Sequence, residues 1–266
     1  MSSRTDEPVE PWRTAITYCD DESVWYRGLD VTGLMQTATF ADTVFLLHKG
    51  RLPVAGERRL IDAMLIAVAD HGPGAPSAVA MRTVATGNRV APEAAIAAGI
   101  LAIGDAHGGA GLACLRMITD ALARASAEKL SLDDAADRVA AEAKASHTRL
   151  PGFGHRTHSR DPRTVTLLQL ARDTALDGDG VAFATALERA IAARIKPLPM
   201  NVDGAIAAVL YDLGFPPLFG KLMFVIGRTA GLSAQLVEEY TRERPMRVKV
   251  PVAYDGPTPR KSVEAV

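Results

Sequence analysis

Leu150-Pro-Gly-Phe-Gly-His-Arg-Thr-His-Ser-Arg-Asp-Pro-Arg163 interrupts a chain that otherwise reads as alanine-rich helix. Its glycines predict a tight turn. Its end, Asp161-Pro162, is a helix start, an N-capping side chain followed by proline where a missing N–H costs nothing. Between them lie His155 and His158, and with Arg149 the stretch gathers four arginines. Helical sequence on both sides of a polar, glycine-bearing loop predicts an all-α protein with its chemistry concentrated at that loop.

Working outward, Val165, Leu168 and Ala171 follow Pro162 at helical spacing. Asp177-Gly-Asp-Gly180 breaks the pattern, and Val181–Arg194 resumes it until Lys196-Pro197. A helix is predicted over Asp203–Leu213, stopped by Gly214 as a C′ glycine. Leu218–Tyr240 reads as one long helix with a bend expected at Gly227 or Gly231. Upstream, Leu60, Ile61, Met64, Leu65 and Val68 form one face of a helix over Glu57–Asp70. Pro92 opens another over Glu93–Ile103, and Gly111–Ala125 carries a third. Ser131 with Asp134 is a capping-box pattern for a helix to about Ala145. Short strands are expected at Thr14–Tyr18 and Arg247–Val252, with a turn at Tyr26–Asp30. Composition changes near Gly111 and Pro199 mark candidate boundaries.

The balance of 30 basic against 31 acidic residues supplies no global field for nucleic acid or a membrane surface, so anion binding has to come from local arginines. The apolar run Ala94–Gly104 is too short to span a bilayer, and the N-terminus lacks the apolar core of a signal peptide. Cys19 and Cys114 fit no disulfide or metal spacing. The expectation is a cytoplasmic protein.

Three histidines sit beside glycine: His71 in Asp-His-Gly, His107 in His-Gly-Gly, and His155 after Pro-Gly-Phe-Gly. Glycine admits close approach of a ligand to the backbone. A histidine beside a helix N-terminus has its imidazolium disfavoured. Taken singly, each of these is more often a helix-end cap than a catalyst. His155, His158 and Asp161 are metal-ligand types, but the arginines around them oppose a cation, and no metal is expected. Gly109-Ala-Gly111 follows a helix and lacks the full dinucleotide fingerprint. Asp203 is the lone charge in Leu198–Leu210, which raises its pKa and suits it to proton transfer at carbon; an N-cap role is equally compatible. Imidazole donors, one carboxylate and several arginines suit enolisation beside a carbonyl, with the arginines holding a polycarboxylate.

In this order, Asp-His71-Gly, His107-Gly-Gly, Pro-Gly-Phe-Gly-His155 with Asp-Pro-Arg163, Asn-Val-Asp203, Phe224-Val-Ile-Gly-Arg228 and Glu-Arg244-Pro resemble the citrate synthase superfamily. Trp25–Asp30 and Lys49–Pro53 are similar to its N-terminal landmarks, and a single helix joins Pro53 to the Asp-His71 motif, as in the short citryl-CoA lyase form and the lyase module of ATP-citrate lyase. The resemblance implies a large helical domain from 1–111 and 200–266, a smaller one from 112–199, and a homodimer or larger assembly. It implies that His107, His155 and Asp203 are catalytic. It places His71, Arg163, Phe224, Arg228 and Arg244 on the oxo-acid substrate, Arg244 across the dimer interface. It places Pro151, Gly152, Phe153, Gly154, Arg156 and Arg160 on coenzyme A. The implied substrates are small molecules, a coenzyme A thioester (acetyl-CoA or citryl-CoA) with oxaloacetate. A citrate or methylcitrate synthase, or a non-catalytic binder of CoA and citrate, are the alternatives.

Overall fold

The computed structural model describes residues 10–154 and 161–258. Three short strands, β1 (Thr17–Cys19), β2 (Val24–Tyr26) and β3 (Leu29–Asp30), form an antiparallel meander. Tyr26 pairs with Leu29, so Arg27-Gly28 is a two-residue hairpin loop, and both residues have positive φ (51° and 81°), as a type I′ connection requires. The turn expected at Tyr26–Asp30 is therefore the tip of a β-hairpin. The Arg27 guanidinium donates to Leu47 O at 2.8 Å, tying the hairpin to the helices.

The remaining elements are helices: α1 (Val31–Thr37), α2 (Phe40–Lys49), α3 (Ala55–Val68), α4 (Pro76–Gly87), α5 (Pro92–Leu101), α6 (Ala110–Glu128), α7 (Leu132–Ala145), α8 (Pro162–Asp173), α9 (Asp179–Arg194), α10 (Val202–Asp212) and α11 (Pro217–Arg242). The protein is all-α, as expected. Proline at the first helical turn starts α4, α5, α8 and α11, and Ser131 caps α7 by accepting from Asp134 N–H. Apolar spacing alone does not mark α1, α2 and α4. Their starts rest on local side-chain caps or a lone proline: Asp30 accepts from Gly33 N–H, and Thr39 with Asp42 forms a capping box.

One hydrophobic core runs from Phe45 on α2 through Met64 on α3, Leu115 on α6, Leu187 on α9 and the buried Ala205–Leu210 stretch of α10 to Met223 on α11. A second, smaller core joins α4 and α5 to Leu232 and Leu236 on α11. α11 thus belongs to both, and its glycines are what let it do so. It is one continuous helix, and Gly227 and Gly231 are points of close approach to α3 where a bend was expected. A Cβ at Gly231 would stand 2.0 Å from Ala69 O, and one at Gly227 would stand 2.8 Å from Leu65 O. Gly231→Ala is expected to cost on the order of 1–3 kcal/mol through overpacking. Thermal denaturation checks it, and a parent-like Tm would show that the contact yields.

Two expectations fail in detail. Arg247–Val252 alternates like a strand but forms none, because no strand edge among the described residues faces its apolar side. Met246 and Arg247 are instead anchored by backbone donation to Thr86, at 2.9 and 3.1 Å, and Val250 and Val252 stay exposed. In α8 the buried positions are Thr164, Leu167 and Ala171, one residue off the face read from Val165 and Leu168.

Candidate active site

The C-terminal end of α3 is the hub of the site. Its last carbonyls are a negative dipole end, and two arginines from distant segments converge on them. Arg163, in the first turn of α8, donates to Ala67 O at 3.2 Å; Arg228, in the middle of α11, donates Nε to Val68 O at 3.0 Å. Arg163 is also gripped by Asp161, its helix's own N-cap, with Nη2 at 2.8 Å from Oδ2. Arg228 is 2% exposed and lies over the Phe224 ring, 4.6 Å from its centroid. Burial, set partly against the attraction of Asp70, lowers the Arg228 pKa.

His107 sits between α5 and α6 in a backbone loop closed by Gly104 N–H to His107 O (2.9 Å) and its reciprocal (3.1 Å). Its Nε2 faces the N-terminus of α4. Ser77 N–H donates to it at 3.3 Å, and Ser77 Oγ lies 2.9 Å away. A backbone N–H can only donate, so Nε2 carries the lone pair and the proton resides on Nδ1. Ser77 Oγ itself accepts from Arg228 Nη1 at 3.2 Å, which leaves its hydrogen for the imidazole. Burial first, then Arg228 and His71, hold the His107 pKa below its ordinary value. The result is a neutral imidazole with a fixed tautomer whose Nδ1–H is the available donor, an oxyanion stabiliser in chemical type. Phe224 packs edge-on against it at 5.6 Å. A Cβ at Gly108 would stand 2.6 Å from that ring.

Asp203 is in the first turn of α10 and does not cap it. Asn201 does, accepting from both Asp203 N–H (3.0 Å) and Gly204 N–H (3.2 Å). The N-cap reading of Asp203 is thereby removed. Its carboxyl, half-buried, has its pKa raised by burial; Arg163 and Arg228 pull it down and Asp161 pushes it up. Cys114 lies fully buried below, its thiol pKa raised by burial and by Asp203.

The Pro151–Gly154 turn is locked to the segment leading into α10. Gly154 N–H donates to Pro199 O (2.7 Å), Asn201 N–H to Gly152 O (3.0 Å) and Asn201 Nδ2 to Gly154 O (2.9 Å). The Gly154 N–H is spent internally, while the Gly152 and Gly154 carbonyls each keep a second lone pair. Gly152 at φ 83° is obligatory: a Cβ there would meet Cys114 Sγ at 2.6 Å and Gly204 Cα at 2.8 Å.

The structure therefore gathers His71, His107, Arg163, Asp203, Phe224 and Arg228 around the end of α3. His71 is exposed in the α3–α4 loop, close enough for its charge to act on His107. Arg244 is exposed beyond the end of α11 and joins none of these contacts. His155, Arg156, His158 and Arg160 lie outside the described residues. No cluster of metal-ligand side chains occurs among the described residues, nor any helix long and apolar enough to cross a membrane. Sequence reasoning missed Ser77, which orients His107. Its signal was Pro76: proline at a first helical position marks free N–H groups just behind it.

Residues 53–249 match the family described as citrate synthase, C-terminal domain. The chain belongs to the citrate synthase family. Among solved structures it is similar to citryl-CoA lyase from Hydrogenobacter thermophilus, at 37% identity and a TM-score of 0.86 over 95% of this chain and 97% of that one. ATP citrate lyase from Methanothrix soehngenii, in complex with citrate and coenzyme A, shares the fold at 21% identity and a TM-score of 0.75, over 97% of this chain and 43% of that one. The citrate synthase of Helicobacter pylori is 34% identical over 196 residues, which is 68% of this chain and 43% of that protein. The chain spans about half the length of the curated family members it matches.

Proposed function

We propose that the protein cleaves citryl-CoA into acetyl-CoA and oxaloacetate. The observation that carries this is a neutral, tautomer-fixed His107 and an Asp203 of raised pKa that share the anchored Arg228, with Arg163 also beside Asp203. The full-length likeness to a citryl-CoA lyase supports it. In cleavage, His155 takes the citryl hydroxyl proton as the carbon–carbon bond breaks. The bonding pair moves onto the thioester as an enolate, whose oxygen accepts from His107 Nδ1–H. Asp203 in its protonated form then delivers a proton to carbon, and its raised pKa favours that form. His71, Arg163, Phe224 and Arg228 hold the oxaloacetate end, and Arg244 completes it from the other subunit of a homodimer. Pro151–Gly154, Arg156 and Arg160 bind coenzyme A. Guanidinium and imidazole groups handle the charge, so the step calls for no metal. We assign residues 1–111 and 200–266 to a large domain, 112–199 to a small one, and the protein to the cytoplasm.

Incubation with citryl-CoA is expected to release oxaloacetate stoichiometrically with acetyl-CoA; no turnover at micromolar enzyme refutes the proposal. The likeness to citrate synthases favours a second reading, condensation of an acyl-CoA with a 2-oxo acid. Free CoA and citrate formed from acetyl-CoA and oxaloacetate would establish it. Binding of CoA and citrate with no chemistry in either direction would identify a non-catalytic binder.

A further inference from the structure

Behind the site, a chain of hydrogen-bonded polar groups leads from the C-terminal segment through the buried Glu239 and Gln235 to the exposed Asp70-His71 loop. It begins at Glu239 on α11, which has no exposed surface. Arg247 donates Nε to its Oε1 at 2.9 Å, and Arg82 on α4 donates Nη1 to its Oε2 at 2.8 Å. Arg82 also donates Nε to Gln235 Oε1 at 3.0 Å and Nη2 to the same oxygen. A guanidinium can only donate, so it claims the amide oxygen and forces the Gln235 NH2 outward. That NH2 donates to Asp70 Oδ2 at 3.1 Å, and the same oxygen accepts from Gly72 N–H at 3.0 Å. Asp70 flanks His71, and its carboxylate acts on Arg228.

We infer that Gln235 is a positioning residue, the link through which Arg82 and Glu239 hold Asp70, and thereby His71 and Arg228, in place to receive a dicarboxylate. The inference rests on the proposed reading only in taking His71 and Arg228 as the oxo-acid contacts. The donor direction of every link is dictated by residue type, so the chain has a polarity that one substitution reverses. In Gln235→Glu the size and the acceptor facing Arg82 persist, but an ionised oxygen replaces the donor facing Asp70. Two carboxylates in contact repel, and the loop carrying His71 loses its clamp. The turn assigned to coenzyme A is anchored separately, through Pro199 and Asn201.

The test is calorimetric binding of oxaloacetate and of CoA to the full chain, with circular dichroism as the check on folding. Gln235→Glu is expected to weaken oxaloacetate binding roughly tenfold or more, from the lost bond to a charged group, and to leave CoA affinity within about twofold. A general structural role would lower both together. The exchanged pair Asp70→Asn/Gln235→Glu restores a donor and an acceptor across this contact with the same net charge, at the expense of the Gly72 N–H bond to Asp70 Oδ2, and is expected to bind oxaloacetate more tightly than Gln235→Glu alone. Parent-like oxaloacetate binding by the folded single variant overturns the inference, as does a double variant no better than the worse single one. If Gln235→Glu alone does not fold, the exchanged pair decides by folding and binding or failing to. Failure of the parent to cleave citryl-CoA refutes the reaction and leaves this comparison intact, because binding is read separately. A parent that binds no oxaloacetate overturns the inference outright.

Discussion

Asp203→Asn is expected to lose on the order of 10²–10⁴ in the rate of acetyl-CoA methyl-proton exchange with solvent, the typical contribution of one positioned general base. The amide keeps the size of the side chain. The helix start does not depend on it, because Asn201 supplies the cap. Folding is therefore expected to survive. The sign of the stability effect also follows. A carboxyl whose pKa is raised in the fold costs stability once pH exceeds its unfolded value, since ionisation then works against burial. At neutral pH the asparagine variant is expected to be at least as stable as the parent, and the difference should vanish as pH falls below the ordinary aspartate range. In the parent, exchange should decline as acidification protonates Asp203, through a limb above the usual aspartate pKa. Exchange at the parent rate in Asp203→Asn would remove this residue from the mechanism.

His107→Ala is expected to lower turnover of citryl-CoA by about 10²–10³, as for removal of one oxyanion donor, with CoA still bound. Ser77→Ala is a milder companion. It removes the hydroxyl that links His107 to Arg228 but leaves the Ser77 N–H on Nε2, so a loss of about tenfold is expected. A Ser77→Ala defect as large as that of His107→Ala would mean that the hydroxyl, and not the helix N-terminus, sets the tautomer. Steady-state kinetics with oxaloacetate detection separates the cases.

The residues by themselves determined the all-α class, the positions of most long helices, and the chemical kit. These are local properties. Proline and capping side chains start helices whatever lies around them, which is why α5, α7 and α8 begin where Pro92, Ser131 and Asp161 indicate. A lone aspartate in an apolar run is desolvated wherever that run packs, so the direction of the Asp203 shift was readable in advance. Tertiary structure decided the rest. The start of α9 carries no side-chain cap of its own; Asp212, at the far end of α10, accepts from Gly180 and Val181 N–H at 2.7 and 3.0 Å. Neither partner signals the other along the chain. The same holds for the alternating Val248, Val250 and Val252, which make a strand only where an edge is available to pair. It holds most of all for the site, where Arg163 and Arg228 meet because the carbonyl end of α3 attracts both, and Ser77 reaches His107 only because α4 docks beside α11. Periodicity records which face of a helix is buried; it carries no record of which helix end will stand opposite it.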